Sequence, residues 1–331
     1  MTARAALLAT PPLALAVLAS CGDVPTRPDA LTARPHLHSF ARSAWSDPAP
    51  VPPPVNSACQ DQTPTLSRDE LALYFLSDRP GGMGTLLPIG CMDNTDIWVA
   101  RRATREGPWE TATNLGWPIN TAANEGGPEL SDDGHLLFFA SSRARGAGTN
   151  DIYIARRDDP GDDLGWGSPT MLGPGVNAFV FQSGPSYRPS SEDGPASLYF
   201  YGGANNGSDA DIYVAAVTRD GETLGGPVHV AELSLAGIPD GFATVRADGR
   251  EIMFNSGRDG VFDLWVSTRR SVHDPWEAPV NLGAPVNTTF AEFQPNLSHD
   301  GRTLLFIAGA GRGGAGRFDI WMATRTPAPT Q

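Results

Sequence analysis

The 331 residues predict an all-β chain folded as a five-bladed β-propeller, its ring closed by an N-terminal strand that completes the last blade. Three observations carry this expectation. A unit of four short strand-like segments recurs five times. The Asp that opens its third segment (Asp96, Asp151, Asp211, Asp263, Asp319) returns every 52 to 60 residues, a period suited to repeated β-units. No stretch sustains a 3.6-residue apolar period, and 37 Gly and 30 Pro interrupt the chain, which disfavours helical repeats. The repeat is also out of step with the numbering: the fifth unit ends at Arg325 after its third strand, while an unclaimed fourth strand stands at 45–56.

Residues 1–20 are set apart from the fold. One Arg precedes the apolar run 5–19, which is too short for a stable membrane span, and the run ends in Leu18-Ala19-Ser20-Cys21. This segment resembles the signal peptide and lipobox of bacterial lipoproteins. That resemblance implies cleavage before Cys21, its acylation, and an envelope address; Gly22 favours the outer membrane, on its periplasmic or surface side. Residues 21–44, rich in Pro and without a period, are expected to be a flexible tether; His36 and His38 in it read as solvated side chains. With Cys21 consumed, Cys59 and Cys91 remain as an even pair and predict a disulfide.

Each unit, within 45–325, begins with a short Pro-led strand and an Asp-Gly-like turn: PTLSRDE (64–70), PELSDDG (128–134), PSSEDG (189–194), VRADG (245–249) and PNLSHDG (295–301). An apolar strand follows each turn, as a hairpin requires. A Gly-rich loop then leads to the third strand, such as DIWVARR from Asp96. The outer strand opens with Trp and closes with Asn eleven residues later: Trp109 to Asn120, Trp166 to Asn177, Trp276 to Asn287. Leu224 and Leu235 keep that phase in the third unit. Trp45 to Asn56 repeats it without a gap, so 45–56 is expected to close the ring and remove an open edge. Residues 326–331 form a tail.

The pattern P-x-L-S-x-D-G…L-x-F-x-S-x-R…D-I-W, clearest at 128–153, resembles the WD40-like (PD40) repeats of TolB-type bacterial propellers. The phrase W-E-x-P-x-N-L-G…V-N-T…E at 276–292 agrees. The resemblance covers 45–325; it implies the fold and leaves the activity open, because propellers host many functions.

One position points to chemistry. Three residues before each inner strand stand Asp61, Glu125, Gln182, Asp240 and Glu292, one per blade, expected to ring the mouth of the central channel. Clustered carboxylates suit a hard cation such as calcium, a carboxylate pair for glycoside cleavage, or a polar mouth that recognises a peptide or sugar. Equally, each acid can cap the backbone of its own turn. The Asp opening the third strand is expected to cap its loop, with Arg79, Arg143 and Arg258 paired to it; Ala204 and Ala310 stand where the other two Arg would be. The outer-strand Trp residues suit packing between blades, whereas Trp117, in a link, is free to stack on a ligand. Arg101-Arg102 and Arg269-Arg270 are expected in solvated ion pairs, and His135, His229, His273 and His299 to be incidental.

A net charge of −13, with all 24 basic residues Arg, disfavours nucleic acid and anionic lipid as partners. No P-loop, GxSxG, HExxH or zinc spacing is present, and Ser-x-Asp-Gly lacks the spacing of the sialidase Asp-box. The sequence therefore favours a monomeric, non-catalytic envelope lipoprotein that needs no cofactor, meets the membrane only through its lipid, and binds a protein or glycan. The alternative is a five-bladed glycoside hydrolase or lyase that uses the channel-mouth carboxylates.

Overall fold

A computed structural model describes residues 44–143, 149–191, 194–204, 209–218 and 220–326. The expected signal segment 1–20, Cys21, the tether up to residue 43 and the tail after residue 326 lie outside them. Five antiparallel four-stranded sheets form the ring. Blade one is Asp61–Leu66, Ala72–Ser77, Asp96–Arg101 and Thr113–Asn114. Blades two, three and four repeat this order from Glu125–Leu130, Phe181–Arg188 and Asp240–Val245. Blade five takes Glu292–Leu297, Thr303–Gly309 and Phe318–Thr324 from the end of the chain, and Ala49–Pro50 from its start. Ala49 pairs with Met322, Pro50 with Trp321, and Trp45 bridges Arg325. The ring closes as expected. The paired ladder of each outer strand is only two residues long, always four and five residues after the Trp (or Leu224) position.

An Asn clamp supplements these short ladders. Asn120 donates to the carbonyl of Ile97 (2.8 Å) and accepts from its N–H (2.9 Å), as a neighbouring strand would. Asn56, Asn177 and Asn287 bind Ile320, Ile152 and Leu264 in the same way. Both backbone groups are thereby satisfied where the outer strand has already turned away.

There are five cores, one between each pair of neighbouring blades. Within Ala72–Ser77, Leu73 and Phe75 pack toward blade five, whereas Ala72 and Tyr74 pack toward blade two. Alternation of side chains along a strand thus serves two cores, which is why these strands read as continuous apolar runs. Each fully buried Phe or Leu stabilises its seam by about 1.5–3 kcal/mol. Among the described residues no helix is long and apolar enough to cross a membrane.

The hairpin turns are built by Ser-x-Asp: Ser67, Ser131 and Ser298 donate to Asp69, Asp133 and Asp300 at 2.6–2.8 Å. Gly134 and Gly301 follow at φ +72° and +70°. In blade one Glu70 holds that left-handed position at φ +62°.

Candidate functional site

The structure turns the five in-phase residues away from the channel. Asp61, Glu125, Gln182, Asp240 and Glu292 are buried, and none of them lines the axial cavity. Asp61 accepts from Ser57 N (2.6 Å) and Arg79 (2.5 Å). Glu125 accepts from Thr121 N, Ser141 and Arg143, and Asp240 from Leu235 N and Arg258. Glu292 accepts from Thr288 N and Arg312; burial holds its carboxyl above the usual range against these bonds. Arg79, Arg143 and Arg258 therefore pair with the link carboxylates, not with the third-strand Asp as expected. Arg312 does the same in blade five, two residues after Ala310. Each guanidinium lies over a second-strand Phe, at 4.8–5.2 Å from the ring centre. The third-strand Asp caps locally: Asp96 accepts from Met83 N and Asn114, and Asp263 from Asn281.

Blade three explains the odd member. Ala204 supplies no guanidinium, Gln182 carries no charge, and Phe179 packs at a tilt against Tyr213 (4.4 Å between ring centres) in the place of the Arg. Charge is lost on both sides together. A second Arg series corrects the expectation of solvated pairs: Arg102, Arg157, Arg269 and Arg325 stack on the outer-strand Trp109, Trp166, Trp276 and Trp45 at 4.1–4.5 Å. Arg101 binds Asp163, which also accepts from Tyr74 and Arg157.

The Cys59–Cys91 disulfide forms as expected, on the loop face. Among the described residues the grouping of His, Cys, Asp or Glu close enough to share an ion is Cys59, Asp78 and Cys91, and its two sulfurs are already joined.

Inside the channel a different ring appears. Four residues after each link position stand Thr65, Glu129, Ser186, Thr244 and Asn296. Four of them accept an N–H from the inner strand of the next blade: Tyr187 N to Glu129 (2.9 Å), Val245 N to Ser186, Leu297 N to Thr244, Leu66 N to Asn296. Thr65 instead donates to the carbonyl of Pro128 (2.6 Å). Beside this ring every inner strand bulges, with Thr63, Gly127, Gly184, Phe242 and Gln294 at φ between +46° and +59°. Three non-glycine residues hold this costly conformation around one neck. The neck encloses about 30 Å³, roughly one water.

Glu129 is the one acid of the inner ring. It is half-buried and lines the channel on both sides of the neck. Burial pushes its carboxyl up to about 8, against the bond from Tyr187 N and with the nearby charge of Asp132 adding to the rise. Glu129 is thus held protonated at neutral pH. Above it lies the hairpin-side mouth, whose residues come from the variable place in the Ser-x-Asp turn: Arg68, Asp132, Ala247 and His299. His299 of blade five contacts Asp132 of blade two (Nδ1 to Oδ1, 3.2 Å), across the mouth past blade one. His299 is not incidental. Arg68 and Asp132 also wall a cleft of about 430 Å³ between blades one and two, opposite Arg101 and Arg157.

No family model and no curated protein matches the chain. Solved structures do. An α-L-arabinofuranosidase from Lactobacillus brevis matches over 82% of this chain and 92% of its own, at 13% identity and a TM-score of 0.56. An endo-arabinase from Bacteroides thetaiotaomicron matches over 84% and 97%, at 16% identity and 0.53. GH43 and GH62 hydrolases crystallised with xylotriose are similar at TM-scores of 0.51 to 0.53. A TolB from Agrobacterium tumefaciens matches over 76% and 70%, at 17% identity and a TM-score of 0.45. At these identities the likeness establishes the fold. The expectation of a non-catalytic binding scaffold is not borne out: most of these matched structures are glycoside hydrolases, which favours the hydrolase alternative over it.

Proposed function

We propose that the chain hydrolyses glycosidic bonds at the hairpin-side mouth of its channel, with Glu129 as proton donor and Asp132 as the second carboxylate. The observation that carries this is Glu129: a carboxyl group kept protonated near neutral pH, facing the same cavity as an acid of different environment. Glycosidases assign their acid and their carboxylate partner by just such a split. The channel is too narrow for a sugar ring, so the substrate sits in the adjoining cleft and the proton leaves Glu129 through one water. Arabino- and xylo-oligosaccharides are the first substrates to try, given the enzymes built on this ring. The Leu18–Cys21 segment supports an envelope location with Cys21 acylated, which intact-mass measurement of the membrane-extracted protein tests.

Residues 39–331 form one compact unit containing every strand of the ring. Incubated with these oligosaccharides, this unit is expected to release reducing ends, and Glu129→Gln to lose roughly 10²–10⁴ of the rate while melting no lower than the parent. Asp132→Asn is expected to lose activity as well. No release from any glycoside, or full activity in Glu129→Gln, overturns the reading.

A further inference from the structure

The two faces of the ring differ. The mouth described above is charged, whereas the loop face carries exposed apolar side chains. Blade one has a long loop between its second and third strands, and its tip is a small hairpin. Leu86 bridges Met92, Leu87 N donates to Cys91 O (2.8 Å), and Thr85 and Asp93 exchange two bonds. The disulfide fastens Cys91 to Cys59 in the neighbouring link. This fixed tip exposes Leu86 (58%), Leu87 (37%) and Ile89 (68%). Trp117 stands 75% exposed in the link after blade one, and that link is stitched to the base of the same loop by Asn94 and Thr95. Around the ring on this face, Val261 of blade four and Phe290 of the link into blade five are also exposed.

We propose that the loop face docks on a zwitterionic lipid surface, with the Leu86–Ile89 tip and Trp117 entering the interfacial layer. Apolar exposure concentrated on one face marks an interaction surface. Two details select a lipid plane. The apolar groups come from loops and links of separated blades on one face of the ring, spread as a broad surface and not gathered into one groove. Nor does any Arg or Lys occur between Arg79 and Arg101 in a chain of net charge −13, so the tip itself offers anionic headgroups no cation and apolar partition has to supply its binding. The tip is ordered before contact, so little conformational entropy is lost on docking. Trp is a side chain enriched at membrane–water interfaces. Docked in this way, the hairpin-side mouth faces away from the lipid into water.

Sedimentation of residues 39–331 with sucrose-loaded phosphatidylcholine vesicles tests this apart from any catalytic role. Binding is expected, and it should persist when salt is raised, because screening weakens charge pairing and not apolar partition. L86S/L87S/I89S should weaken partition roughly tenfold or more, from the apolar surface it removes. Trp117→Ser should weaken it as well. Both variants change exposed positions, so their melting temperatures and glycoside-releasing activity should equal the parent's. Failure to sediment with these vesicles overturns the proposal and turns the apolar tip toward a protein partner. Equal binding by the triple variant overturns it too, as does binding that requires phosphatidylglycerol and disappears with salt.

Discussion

Glu251 of blade four grips Arg325 of blade five through both carboxylate oxygens, at 2.7 and 2.9 Å, and Arg325 lies over Trp45 of the closing strand. Arg246 binds the same carboxylate at 2.6 Å. All three ionic groups are buried. Removing the acid takes the carboxylate partner from the buried Arg325, while Arg246 keeps Asp248 (2.7 and 2.9 Å), so Glu251→Gln should cost about 3–5 kcal/mol. Urea unfolding measures this, with the exposed Glu277→Gln as a control within about 0.5 kcal/mol of the parent.

The neutral version of the Arg–carboxylate pair in blade three gives a second test. Gln182→Glu would bury a carboxylate where Phe179 replaces the guanidinium. Its folded pKa must then lie above the unfolded value of about 4.3. The penalty is therefore absent below that pH and grows as pH rises through it. Unfolding at pH 7 should show a loss of several kcal/mol, on the order of an unpaired buried charge, and unfolding at pH 4 a much smaller one. Equal losses at both pH values would mean that charge is not what selects Gln there.

Glu129 should leave its own mark on the pH dependence of stability. Its folded value is raised to about 8, so between the ordinary carboxylate range and pH 8 the folded state holds a proton that the unfolded state has released. Its contribution is fully present below the unfolded pKa and is lost as pH rises, at most about 1.4 kcal/mol per pH unit, levelling off above pH 8. Glu129→Gln should remove this slope, and a difference plot of unfolding free energies from pH 5 to 9 reads it directly. Glycoside release that depends on the same proton should decline as pH rises past about 8.

The bulge ring predicts an ordering of glycine substitutions. A Cβ on Gly184 would come within 2.9–3.0 Å of the Phe242 and Tyr201 rings, whereas on Gly127 it would meet Pro185 at 3.4 Å. Both positions have positive φ, which costs an Ala roughly 1 kcal/mol. Gly184→Ala should thus lose more stability than Gly127→Ala, and thermal melts of the two compare them.

The ring architecture was legible because it is written five times. The Trp-to-Asn spacing survived even where Leu224 and Leu235 replace both residue types, since four and five residues after Leu224 is where Val228–His229 pairs. The link carboxylates were legible as a pattern but not in direction: a side chain at a strand's start can turn to the channel or to its own link. Only the coincidence of Gln182 with Ala204 hinted at the partner. Glu129 was hidden for the opposite reason. It occupies the x of P-x-L, a place that also holds Thr, Ser and Asn, and the burial that keeps it protonated arises only when five strands converge. The contact of His299 with Asp132 joins positions 167 residues apart, beyond the reach of any spacing argument.

The closing strand also sets an order in time. Asn56 finds the backbone of Ile320 across 264 residues of chain, and Ser46 finds Thr324 across 278. During synthesis the closing strand emerges before blade one, yet its partners emerge only with blade five, so the seam between blades five and one stays open until blade five has been made. Throughout that interval the faces of Leu73 and Phe75 are exposed and prone to association with other chains. A holding chaperone that covers this seam would act on the nascent protein and be released by ring closure itself.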